Sequence, residues 1–206
     1  MSGVTGRIAK GHARQQIVVD AAAKAIAELG LANVRVSDIA ERAGMTSGHV
    51  TYYFPSKTDL LMLAIRRSEE SLVEQVDAEL DGIEEPWARL ERLIELSASN
   101  GRGDTGWILW FQVWSDAAVD DTVADVHNEL DDRWRQILRG VLAYGRERGA
   151  FSFSDLDDVS QVISAAIDGL SVQLTVGAPG FDRDRMLQLC LRVCAAFLGA
   201  KPDSPA

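Results

Sequence analysis

From residue 17 to residue 198, apolar side chains recur at intervals of three and four, and no segment alternates in the way a half-buried strand must. That spacing confines the chain to an all-α fold of about nine helices, three short and six longer. Ile17, Ala21, Lys24-Ala25 and Leu29 place a stripe along a first helix that Gly30 ends. Val36, Ile39, Ala40 and Ala43 mark a short second helix, stopped by Gly44. Thr46 caps a third short helix through Val50 to Phe54, and Pro55 forbids its continuation because proline lacks an amide hydrogen and clashes with the preceding turn.

Ser56-Lys57-Thr58-Asp59 opens the fourth helix with an acidic variant of a capping box. Apolar positions from Leu60 to Leu80 carry it on, long enough to start in one module and end in another. Further helices are expected from Pro86 to about Ser99, Thr105 to Ala118, Thr122 to Arg148, Leu156 to Val176 and Asp182 to Leu198. Glycine and aspartate clusters punctuate them. The domain reading is a head over residues 1–57, a body over 58–201 and a frayed tail over 202–206.

Charge is divided along the chain. The formal net charge is −10, yet residues 1–60 balance at +2 and the remainder at −12. A mildly basic head on an acidic body suits a head that approaches phosphates and a body that does not, although a solvated tail with a few bases gives the same totals. Cys190 and Cys194 lie four apart on one helix face, poor geometry for bridging each other, and read as buried free thiols in a reducing cytoplasm. No apolar run approaches the roughly 18 residues of a membrane span, so no membrane partner is expected. The three histidines, His12, His49 and His127, are scattered, and neither a Gly-rich phosphate loop nor a metal-ligand spacing occurs. Catalytic residues, cofactor and metal are therefore all expected to be absent.

The stretch Val36 to Lys57 reads as a helix-turn-helix. Ile39, Ala40, Val50 and Phe54 supply the contacts that fix the crossing, with Ala40 small where the backbones approach. Outward from the second helix stand Thr46, Ser47, His49, Thr51, Tyr52 and Tyr53, groups that reach both base edges and phosphate oxygens, while Gly48 lets the backbone lie close to DNA. A helix pair of this kind is also common in purely structural settings. The order of its surroundings is more specific. Residues Ala23 through Leu61, with Asp38-Ile39-Ala40, Ala43-Gly44, Gly48, Tyr53-Phe54 and Ser56-Lys57, resemble the TetR family of regulators.

That resemblance implies that the third helix enters the major groove and that Thr46 and Lys57 contact phosphates. The fourth helix's free amides give Lys57 independent support. Two positions depart from the family pattern. Thr51 stands where many members carry a tyrosine that touches the DNA backbone, so that contact is either weaker here or handled by Tyr52. Arg35 stands near the usual Ser/Thr cap of the second helix, so either Arg35 or Ser37 approaches phosphate there. His49 has three open readings: a base edge, a phosphate, or no contact.

In the body, Trp107, Trp110, Phe111 and Trp114, then Arg133-Trp134-Arg135 and Leu138, then Ala165 through Leu174, resemble the BetI-type branch of that family. The four rings sit at i, i+3, i+4 and i+7, one face of one helix. They either line a ligand chamber, where aromatic faces hold a cation, or form core. Trp134 and Asp168 are the next candidates, and Asp168 is paired, exposed or ligand-facing. In the last helix, Met186, Cys190, Val193, Cys194 and Phe197 stripe one side. The resemblance implies a homodimer through the last two helices of each subunit.

The implied function is a repressor, released from palindromic double-stranded operator DNA by an unknown small-molecule effector, cationic or flat and apolar. The effector would shift a two-state equilibrium through the fourth helix. The competing readings are a helical protein-interaction module that never touches DNA, and an enzyme.

Overall fold

The computed structural model describes residues 2–199, with side chains from residue 12 onward, Ser71 excepted; the expected tail at 202–206 lies outside the described residues. Among them the chain forms α1 (Ser2–Leu29), α2 (Val36–Ala43), α3 (Ser47–Tyr53), α4 (Lys57–Asp81), α5 (Pro86–Ser97), α6 (Thr105–Ala117), α7 (Asp121–Glu147), α8 (Leu156–Val176) and α9 (Arg183–Leu198). The fold is all-α, with a helix-turn-helix near its N-terminus and a larger helical body.

The chain divides into two compact units: Met1–Ser71 with Ile108–Asn128, and Leu72–Trp107 with Glu129–Ala206. In the first, α1 packs on α2, and α2 on α3. Val18, Ala21, Ala22, Ala25 and Ile26 form the inward face of α1, whereas Ile17 is 47% and Leu29 37% exposed. The expected stripe was therefore out of phase by one residue. That buried face carries the small residues Ala21, Ala22 and Ala25. The helix also begins earlier than its apolar stripe, and good helix formers such as Ala9, Ala13, Gln15 and Gln16 precede that stripe. Gly30 ends it with φ +77°, a conformation that favours glycine.

In the second unit, α8 packs along α9, and α5 also meets α9. The core gathers Leu90, Leu93, Ile94, Leu138, Leu142, Phe151, Ile163, Ile167, Met186, Cys190, Cys194 and Leu198. Met186, Cys190, Cys194 and Leu198 are the buried stripe of α9, four apart throughout, whereas Phe197 is 45% exposed. Burial pushes the Cys190 thiol up to about 11 and the Cys194 thiol up to about 12, so both stay protonated and unreactive. By length and composition alone α8 is apolar enough to cross a membrane, which the search for uninterrupted apolar runs overlooked. Its Val159, Ile163, Ile167 and Leu174 are spent on the protein's own core.

Acidic residues start most of these helices. Glu85 accepts from the amides of Trp87 and Ala88, Asp104 from Trp107, Asp120 from Thr122, Asp155 from Asp157 and Asp158, and Asp182 from Arg185. Each cap satisfies amides that the first turn leaves open and sits at the positive end of the helix dipole. Part of the negative charge after residue 60 is thus architectural.

Two local devices hold the larger unit. Ser99 is fully buried; its amide donates to Ser171 Oγ (3.2 Å) and its Oγ accepts from the Gly101 amide (3.0 Å). Thr175 donates to the Ser171 carbonyl at 2.8 Å, so the Ser99 hydroxyl donates to Thr175 Oγ1 at 2.6 Å. The chain after α5 is thereby pinned to α8. After α7, the Phe151 ring lies directly on Gly145, with Trp87 edge-on to it at 5.0 Å. A Cβ at Gly145 would stand 2.0 Å from that ring. Gly145→Ala should therefore destabilise the protein by about 3 kcal/mol, the upper part of the range for overpacking, as read from the urea midpoint at unchanged m-value.

Candidate nucleic-acid interface

Seven residues are too few for a helix that stands alone in water, so α3 depends on its anchor and its caps. Val50 is 1% exposed, Ile39 and Ala40 of α2 are likewise buried, and α3 packs on α2. Gly44, at φ +63°, turns the chain between the two helices. Thr46 caps the start of α3, its Oγ accepting from the His49 amide at 3.3 Å, and the Phe54 amide closes the end on the Val50 carbonyl at 2.9 Å.

With Val50 inward, the expected edge faces solvent. Thr46, Ser47, Gly48, His49, Thr51 and Tyr52 are all exposed, Tyr52 at 78%, while Tyr53 is half-buried with its ring edge-on to Tyr52 at 5.3 Å. Lys57 is exposed on the first turn of α4, beside Ser56, whose hydroxyl caps that helix through the Asp59 amide at 3.1 Å. Ser37 and Arg35 are both exposed at the start of α2. The Arg35 side chain makes no cap there; instead its amide donates to Asp38 Oδ2 at 2.8 Å, half of a capping box.

Hydrogen-bond accounting separates the hydroxyls. Phosphate oxygens only accept, so a useful hydroxyl must have its proton to give. Thr46 uses an oxygen lone pair for its cap and keeps its O–H for a partner. Thr51 donates to the Ser47 carbonyl at 2.6 Å, so contacting a phosphate would cost that bond. Among the bases, Arg42 is committed: it binds Glu28 on α1 and the Asp38 carbonyl at 3.0 Å. The Glu28 hydrogen bond raises its pKa further. Gly48 stands out for the opposite reason. It lies inside α3, and a Cβ there would meet nothing nearer than Thr46 Oγ1 at 3.9 Å. No contact within the protein calls for glycine at this position, where it weakens the helix.

On α6 only Val113 is buried; Trp107, Trp110, Phe111 and Trp114 are half-buried. In the smaller unit Trp110 lies 6.5 Å from Trp114 and edge-on to His127 at 6.0 Å, and Phe111 lies 5.9 Å from Trp114. In the larger unit Trp107 Nε1 donates to the Ser97 carbonyl at 3.3 Å, Trp134 packs against the core, and Asp168 is half-buried on α8. Sequence reasoning passed over Gln112, which reaches from α6 to the turn after α1: the Ala32 amide donates to its Oε1 at 3.3 Å across 80 residues. Nothing in a single glutamine announces such a contact. Among the described residues no three His, Cys, Asp or Glu side chains gather as metal ligands.

Residues 18–63 match the family described as bacterial regulatory proteins of the tetR family, and residues 86–199 match the C-terminal domain of BetI-type transcriptional repressors. The HTH-type transcriptional regulator BetI 1 of Chromohalobacter salexigens is 26% identical over 178 residues, covering 85% of this chain and 86% of its own. The BetI regulator of Rhizobium meliloti is 27% identical and covers 92% of both chains. Among solved structures, a transcriptional regulator from Saccharomonospora viridis in complex with choline superimposes with a TM-score of 0.75 at 34% identity, covering 86% of this chain and 93% of its own.

Replacing Gly48 by Ala should leave the stability of the isolated protein unchanged or raise it by up to about 1 kcal/mol, measured by thermal unfolding. A loss of stability would mean that the glycine serves the fold itself.

Proposed function

The chain belongs to the TetR family of DNA-binding transcriptional regulators, with a C-terminal domain of the BetI repressor type, and from that premise we propose a repressor whose operator contacts come from α3 and the start of α4. The observation that carries this reading is the exposed polar edge of α3, opposite the buried Val50. Ser47, Gly48, His49 and Tyr52 are the residues for base edges and close backbone approach. Thr46, Tyr52, Lys57 and Ser37 serve phosphates, with Tyr53 and Thr51 in supporting contacts. Gly48 fits a helix whose backbone must come near a duplex.

Family members dimerise through C-terminal helices and bind DNA and an effector. In this chain we assign the dimer face to α8 and α9, where Val162, Val176 and Phe197 are left 39%, 62% and 45% exposed. A two-fold dimer sets its recognition helices about 34–36 Å apart for a palindromic operator. The functional division is a head over 1–57 and a body over 58–201.

The effector we propose is a small quaternary ammonium compound such as choline. The half-buried rings Trp110, Phe111 and Trp114 are suited to a permanent cation, whose attraction to an aromatic face survives desolvation better than a hydrogen bond unmade. Trp107, Trp134 and Asp168, in the other unit, are the further candidates. The choline held by the regulator from Saccharomonospora viridis supports this choice of chemistry. Effector binding favours the state with weaker operator affinity, and a coupling of about 1–3 kcal/mol lowers occupancy roughly five- to 150-fold.

Fluorescence anisotropy on the protein's own upstream region tests the DNA contacts. Tyr52→Ala and Lys57→Ala should each weaken binding at least tenfold, with the salt dependence shallower by about one phosphate contact for Lys57→Ala. Wild-type affinity in both variants would refute the assignment. Choline should release the wild-type complex, and its neutral carbon isostere, 3,3-dimethylbutan-1-ol, should do so at least tenfold less well. Equal potency of the two would remove the cationic effector.

A further inference from the structure

The turn between α1 and α2 is braced from α6. Gly30 ends α1 at φ +77°, Asn33 closes the turn by donating to the Gly30 carbonyl at 3.1 Å and, through Nδ2, to the Leu29 carbonyl at 3.0 Å. The chain then enters α2 directly at Arg35 and Val36. Over this turn lies the Gln112 carboxamide. Its Oε1 accepts from the Ala32 amide, and its Nε2 sits so close that a Cβ at Gly30 would stand 3.3 Å away. The two flanking turns of α6 carry Trp110, Phe111 and Trp114. All of these residues belong to the same compact unit. One side chain therefore touches the turn that leads into the helix-turn-helix while its neighbours form the aromatic face.

We infer that Gln112 is the positioning residue through which α6 and the helix-turn-helix report on each other's state. A displacement of α6 by a fraction of an ångström stretches the Ala32–Gln112 bond, and a rotation of α2 and α3 against α1 does the same from the other end. A single hydrogen bond of ordinary net strength corresponds to a factor of roughly five in an equilibrium, which is within the usual range of coupling between sites. The two isosteric substitutions differ in what they keep. Gln112→Glu retains an acceptor for the Ala32 amide; Gln112→Leu retains only the volume. This inference rests on the regulator reading but not on the identity of the effector, because coupling is reciprocal and can be read from the DNA side.

The test is fluorine NMR of the full chain labelled with 5-fluorotryptophan, its resonances assigned by single Trp→Phe replacements, with and without a saturating duplex of its own upstream region. Operator binding should shift the Trp110 and Trp114 resonances in the wild type and in Gln112→Glu, and leave them in place in Gln112→Leu bound to the same duplex. Equal shifts in wild type and Gln112→Leu, or none in the duplex-bound wild type, would overturn the inference while leaving the operator contacts intact. Should Gln112→Leu and Gln112→Glu both fail to bind the duplex, Gln112 is a structural support and the inference likewise falls. A wild type that binds no duplex at all would sink the regulator reading first. In the choline titration, the several-fold release of wild type should shrink to less than twofold in Gln112→Leu; a choline effect absent from wild type disposes of the effector alone.

Discussion

Val50 sits at the centre of the functional geometry. It is the single fully buried side chain of α3, and its burial, with α3 packed on α2, fixes which way a seven-residue helix faces. The rest follows from that contact. With Val50 inward and Tyr53 half-buried, Ser47, His49, Thr51 and Tyr52 are left to meet solvent or a partner. The left-handed turn at Gly44 sets the angle at which α3 leaves α2, and the caps at Thr46 and Phe54 keep so short a helix from fraying. The polar edge is thus a by-product of packing economy: the smallest anchor that orders the helix leaves the largest surface for recognition.

The body solves a different problem, in which long helices must be started, stopped and locked together. Acidic caps start them, so the same carboxylates that satisfy open amides also give this part of the chain its negative charge. Close approach is secured where glycine permits it, at Gly145 beneath Phe151, and polar matching is secured where burial demands it, at Ser99, Ser171 and Thr175. A buried hydroxyl chain with every member satisfied fixes one register, since any slip would leave a donor unmatched.

The elements most legible in the sequence were those with chemical punctuation. The ends of α2, α3, α8 and α9 were readable because Gly44, Thr46, Gly177 and Asp182 each do at a helix end what their chemistry suits them to do. The phase of a helix was harder to read. Ile17 and Leu29 obeyed the periodicity yet face outward, because an apolar arc spans two or three adjacent positions and only the partner's shape selects among them. Polar side chains with long reach were hardest of all. Gln112 and Thr51 differ in role because of a contact across 80 residues in one case and a bond four residues back in the other.

The order of residues by itself determined an all-helical chain, a helix-turn-helix with a polar outer edge, a protected pair of thiols and the family to which the chain belongs. Those properties depend on local chemistry: periodicity, caps, turn residues and the spacing of a motif. Tertiary structure decided which hydroxyl still has a proton to offer, which arginine is spent on an ion pair, which apolar side chains are left outside, and what braces the turn into α2. These depend on distances between residues far apart in the chain, and such distances exist only once helices have packed.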